Sequence, residues 1–122
     1  MNDPHKNIFY YYRGPSNKNN REKDDIIYDK QIEDNTTKAL INCFEYCSGS
    51  LLRHFIKYFK IEIENITSPQ FMLQVSASKS RPDAKIKFVN SSIYIENKIG
   101  APVKRNQLLN HLKILESNDL LL

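Results

Sequence analysis

The sequence is poor in the residues on which several large protein classes depend. Three glycines in 122 residues leave no nucleotide-binding glycine loop, and neither a heme nor a flavin signature is present. No Ser/His/Asp arrangement for nucleophilic catalysis can be picked out. No apolar run approaches the roughly 20 residues that cross a bilayer. The opening MNDPHKNIFYYY lacks the uninterrupted apolar core of a signal peptide. A cytoplasmic protein without membrane association is the resulting expectation. Cysteine is scarce too. Cys43 and Cys47 lie within a helical pattern, where a disulfide would strain the helix and no further metal ligands stand nearby. They read as two reduced core or boundary thiols, and zinc is not expected.

What remains is the composition of a folded domain. A hydrophobic fraction of 40% and a charged fraction of 26% belong to a globular chain rather than a disordered one. The length suits one core and not two. A net charge of +4 and a pI of about 9.0 mildly favour an anionic partner without identifying one.

The first 31 residues read as an N-terminal arm, partly flexible. An aromatic cluster (Phe9, Tyr10, Tyr11, Tyr12) is followed by the polar, turn-rich RGPSNKNNREKDD, either a solvated loop or an arm that touches nucleic acid. From Ile32, the spacing of Ala39, Leu40, Cys43, Phe44 and Cys47 predicts an amphipathic helix. Glu33 and Asp34 stand at its acidic start, Asn35 or Thr36 caps it, and Gly49 stops it. LLRHFIKYF gives a second helix with Leu51, Leu52, Phe55, Ile56 and Phe59 inward and His54 on the surface. FMLQVSA, DAKIKFV and IYIENKI read as three strands, the last two joined by a turn at NSS. Pro102 suits the first turn of a helix over VKRNQLLNHLKILE, with Val103, Leu108, Leu112 and Leu115 as its apolar side. IEIENI, between the second helix and the first strand, fits no element. NDLLL closes the sequence as the start of a buried strand, so either the last strand is very short or the chain continues into a further segment or domain beyond Leu122.

Three charges sit oddly on the strand pair. Asp83 opens one strand, and Glu96 and Lys98 lie near the end of the next. Alternation puts Tyr94, Glu96 and Lys98 on one face and Ile93, Ile95 and Ile99 on the other. A tight hairpin at NSS brings Asp83 opposite Glu96 or just beyond it. Two carboxylates and an amine then converge at one edge of the sheet. Hard oxygen ligands in that arrangement suit magnesium, and a neighbouring lysine can offset charge on a phosphate. Solvated surface charges and a turn aspartate explain the same residues taken singly.

Taken together, the pieces resemble the PD-(D/E)xK nuclease superfamily. Pro82-Asp83 is similar to its PD half and Glu96-Asn97-Lys98 to its ExK half. QLLNHL, from Gln107, resembles the glutamine-bearing helix of many branches. Glu33 and Thr37 resemble the acidic start of its first core helix, with Asp34 as the alternative acid. The resemblance implies an α+β restriction-endonuclease-like fold over residues 32–122: an α-β-β-β-α-β core whose mixed sheet is flanked by helices, its last strand truncated.

It further implies a magnesium-dependent endonuclease that hydrolyses phosphodiester bonds in DNA, with manganese as a substitute ion. The superfamily's range also takes in RNA processing. Asp83, Glu96 and the backbone carbonyl of Asn97 would bind the metal, joined by Glu33 if that residue does not serve as a helix cap. Lys98 would position the hydrolytic water, and Gln107 would orient substrate or Lys98. Lys85, Lys87, Lys104, Arg105 and His111 would contact the nucleic acid. A solvated helix face accounts equally for the cations, and a surface or core role for His111. Double-strand cleavage would call for a homodimer. A catalytically silent nucleic-acid-binding or regulatory module on the same fold is the alternative, and a protein-interaction domain built on Phe9–Tyr12 a third.

Overall fold

The computed structural model of the chain describes residues 5–6, 21–74, 80–99 and 102–122, with side chains of the first helix from Gln31 onward. The elements are α1 (Arg21–Tyr46), α2 (Ser50–Tyr58), β1 (Gln70–Leu73), β2 (Ala84–Lys87), β3 (Ser92–Ile95), α3 (Arg105–Leu112) and β4 (Leu120–Leu121). The described chain is thus α+β, and its element order is the one read from the sequence. The aromatic cluster Phe9–Tyr12 and residues 75–77 of the first expected strand lie outside the described residues.

The four strands form one mixed sheet in the order β1-β2-β3-β4. The first three run antiparallel, and β4 lies parallel to β3. Alternation sorts the side chains. Phe71, Ile86, Ile93 and Leu120 are in register across the sheet, and Leu73, Ala84 and Ile95 form the next apolar row on the same face. Ala84, Ile86 and Ile93 are fully buried there, in one cluster with Ile41 and Phe44 of α1 and Leu52 and Ile56 of α2. The opposite rows carry Lys85 and Tyr94, with the Lys85 Nζ 5.0 Å from the centroid of the tyrosine ring. IEIENI has no regular structure. It runs as a connector that turns Ile61, Ile63 and Ile66 onto the core and leaves both its glutamates exposed.

The helices depart from expectation in phase and extent. α1 begins at Arg21 rather than Ile32, so residues 21–31 of the supposed arm are helical. Nothing from Arg21 to Tyr46 is glycine or proline, the two residues most costly inside a helix. Its inward stripe runs through Glu33, Thr37, Lys38, Ile41, Asn42 and Phe44, whereas Ala39, Cys43 and Cys47 are exposed. Several of the inward polar groups find partners there, although the Thr37 hydroxyl and the Asn42 side-chain oxygen have none among the described residues. Asn42 Nδ2, for example, donates to the Lys38 carbonyl at 2.7 Å and to the His5 carbonyl at 3.0 Å. Burial lowers the pKa of Lys38 below the usual lysine range. Tyr46 donates to the Lys6 carbonyl at 2.7 Å, which ties the chain at residues 5–6 to the same helix.

Gly49 is not a left-handed stop. It has φ −50° and sits at the start of α2. On α2 only Leu52 and Ile56 are buried. Phe55 is half-buried and stacks edge-on against Phe44 at 4.9 Å, while Leu51 and Phe59 are substantially exposed. The exposure of both cysteines has a direct consequence: Cys43 and Cys47 should react with a thiol reagent in the folded protein without denaturant. Protection of either thiol until unfolding, followed by absorbance of the released dye, would contradict this placement of α1.

Candidate active site

The site lies where β2 begins and β3 ends. The register pairs Ala84 with Ile95, so the preceding Asp83 and the following Glu96 face one another across the strand pair. Asp83 is buried, and its Oδ2 accepts the backbone N–H of Asn97 at 2.8 Å. That bond pins the start of the ExK segment to the aspartate. The Asp83 carbonyl in turn accepts the Gln74 N–H at 2.7 Å, which ties β1 to the same corner. On the far side, Glu96 N–H donates to the Leu122 carbonyl at 3.0 Å and Leu122 N–H to the Tyr94 carbonyl at 2.8 Å. The short closing strand therefore fixes the backbone of Glu96. Its own approach is set by Asp119, whose carboxylate accepts the N–H groups of Ser92 at 2.8 Å and Glu116 at 2.9 Å.

Glu33 reaches this corner from α1. It is a mid-helix residue, so the capping role is excluded: a cap stands at the first turn, and this helix starts at Arg21. Its Oε1 accepts the Ile99 N–H at 2.9 Å, and its Oε2 lies 3.7 Å from the Lys98 Nζ. Thr37, one turn on, is buried on the same stripe. Asp34, the alternative acid, is half-buried.

Glu96 is the hub. Its side chain is 3% exposed, far from the open surface that alternation alone suggested. Oε1 faces the Lys98 Nζ at 2.9 Å and accepts a hydrogen bond from Gln107 Nε2, and Oε2 meets His111 Nε2 at 2.9 Å. Burial of a carboxylate is tolerable only with such partners.

Gln107 and His111 come from α3, which starts at Arg105 rather than in the turn holding Pro102. Its inward side is only in part the expected apolar stripe, for Leu108 and Leu115 are half-buried. Val103 and Leu112 are about half exposed, while Gln107 is half-buried and His111 only 2% exposed. The helix turns its polar face inward because Glu96 is there to receive it. The spacing of Gln107 and His111, one turn apart, is the signal by which the histidine could have been assigned to Glu96. His111 is therefore not a surface contact for phosphate.

Of the other cations, Lys87, Lys104 and Arg105 are exposed, and Lys85 is half-buried over Tyr94. Glu33, Asp83, Glu96, Asn97, Lys98 and Gln107 are thus brought together, and His111 joins them. The carboxylates match magnesium in kind, as hard oxygen donors. In placement they are tied to N–H groups and to Lys98. Among the described residues, no three His, Cys, Asp or Glu side chains gather as a metal-binding group.

No known protein family, curated protein or solved structure matches the chain. No helix among the described residues is long and apolar enough to cross a membrane.

Proposed function

We propose that the chain is a PD-(D/E)xK-type nuclease on a restriction-endonuclease-like fold, hydrolysing phosphodiester bonds in DNA with magnesium or manganese. The observation that supports this most is the meeting of four separated segments. Lys98 and Gln107 both reach Glu96, Lys98 also reaches Glu33, and Asp83 holds the backbone of Asn97. Chance surface charges have no reason to link two helices and a strand pair through one chain of contacts, Glu33 to Lys98, Lys98 and Gln107 to Glu96, and Asp83 to the Asn97 N–H.

The residues divide the work by chemistry. Asp83, Glu96 and the Asn97 carbonyl would hold the ion, with Glu33 in support. A bound magnesium supplies Lewis acidity at the scissile phosphate and a more acidic water. Lys98 brings a positive charge and three N–H donors to the side where negative charge builds. Gln107 and His111 keep Glu96 oriented, a positioning role rather than a catalytic one. Exposed Lys87, Lys104 and Arg105 would follow the phosphate backbone with salt-sensitive, largely sequence-independent affinity.

The silent-module reading draws on one specific observation: both oxygens of Glu96 are already engaged by Lys98, Gln107 and His111. The experiment that separates the two is nicking of supercoiled plasmid with magnesium or manganese, wild type against Lys98→Ala. Metal-dependent nicking that drops about a hundredfold in the variant is expected. Plasmid binding without nicking, unaffected by metal or by Lys98→Ala, would put the silent module in its place.

A further inference from the structure

Two buried carboxylates from different elements share one ammonium. Glu33 arrives from α1 and Glu96 from the end of β3, with side chains 5% and 3% exposed. Lys98, at 18%, is the member of the trio closest to solvent. A carboxylate withdrawn from water needs a cation or N–H donors to stay charged. Ile99 N–H serves one oxygen of Glu33, and Gln107 and His111 serve the two of Glu96. Lys98 supplies the positive charge that both carboxylates require, contacting Oε1 of Glu96 and Oε2 of Glu33.

An ammonium and a divalent cation meet the same need, and their mutual repulsion at low dielectric makes them compete for the same two carboxylates. Building on the nuclease reading, we infer that Lys98 is the internal counter-ion of this site and that a divalent cation bound through Glu96 displaces its ammonium from Glu33 and Glu96. The Lys98 side chain is 18% exposed against 5% and 3% for the two glutamates, so the displaced ammonium has solvent beside it, where a phosphate oxygen would be its next partner. One residue then serves twice, first holding the carboxylates together and then meeting the substrate. The exchange also sets a ceiling on cation affinity, since every ion bound must break the Lys98 pairs.

Lys98→Met keeps the apolar stem and deletes the charge. It should bind a divalent cation at least about tenfold tighter than wild type. The test is equilibrium binding of Mn²⁺, read from the spin-resonance signal of the free ion. It uses the full chain as wild type, Lys98→Met, Glu96→Gln and the double variant. Tighter binding in Lys98→Met, abolished when Glu96→Gln is added, is the expected result. Equal or weaker binding by Lys98→Met overturns the exchange, yet Glu96-dependent binding by wild type leaves the nuclease reading standing. Wild-type binding that is absent at millimolar Mn²⁺, or indifferent to Glu96→Gln, overturns both. If Lys98→Met does not fold, wild type alone answers by reductive methylation followed by mass spectrometry. Labelling at Lys98 should accelerate when Mg²⁺ is added, and an unchanged or slower rate overturns the exchange.

Discussion

Glu96→Gln should reduce metal-dependent cleavage by about a thousandfold while leaving the protein folded. The expectation rests on how closely the amide can copy the carboxylate. Its oxygen can still accept from Lys98 and Gln107, which both approach Oε1. Its NH₂ then faces His111 Nε2, which accepts in the tautomer that carries its proton on Nδ1, at the cost of a buried Nδ1–H without a hydrogen-bond partner among the described residues. The pocket is therefore refilled with little loss of packing. What disappears is the negative charge that a divalent ion would require. Glu96→Ala is a poorer test, because it strands three inward-pointing polar groups and confuses folding with chemistry. The measurement is initial nicking rate at saturating Mn²⁺, beside circular dichroism of both proteins. A folded Glu96→Gln that cleaves within about tenfold of wild type would remove Glu96 from the reaction.

The strand half of this site was legible in the sequence and the helix half only partly so. Asp83 and Glu96 could be set opposite one another because a short hairpin leaves few registers, and the observed pairing of Ala84 with Ile95 is one of them. Alternation placed neither Lys98, which lies beyond the end of β3, nor Glu96 in a buried setting. The helices misled for a shared physical reason. Periodicity finds the inward face by looking for apolar residues, but α1 and α3 also turn polar residues inward, Glu33, Gln107 and His111 toward the site and Asn42 toward the His5 carbonyl. On α1 that moved the stripe from Cys43 and Cys47 to Glu33, Thr37, Ile41 and Asn42. On α3 it put Gln107 and His111 inward beside a half-buried Leu108 and left Leu112 outward. Such inversions are expected where local patterning yields to a buried polar cluster. The start of α1 failed for another reason: a charged run without glycine or proline suits a solvated helix as well as it suits a loop. Backbone partners, such as the N–H groups of Asn97 and Ile99 that hold Asp83 and Glu33, leave no trace in residue identity at all.

The second large effect is structural. Ile86→Ala should destabilise the protein by about 3–4 kcal/mol, a large share of the roughly 5–15 kcal/mol that holds a small domain together. Ile86 is fully buried in the middle of β2, with Phe71 opposite on β1 and Ile93 opposite on β3. Strands on both sides and the α1–α2 layer on its face leave little room for collapse into the space that the lost methylenes vacate. The effect should be a lower urea midpoint at unchanged slope, since the surface exposed on unfolding barely changes. A loss under about 1 kcal/mol would mean that β2 is not the packed central strand described here. The substitution also bears on the site. Asp83 and Glu96 face each other only because β2 and β3 are held in register, and the Ile86–Ile93 pair is the buried contact nearest the middle of that register. Cation affinity per folded molecule should therefore survive Ile86→Ala, because the Ala84–Ile95 pair beside the site is untouched. The folded fraction should fall steeply at modest urea. A variant that kept its stability but lost its cation affinity would instead place Ile86 in the site's own support, which its position away from Asp83 and Glu96 does not predict.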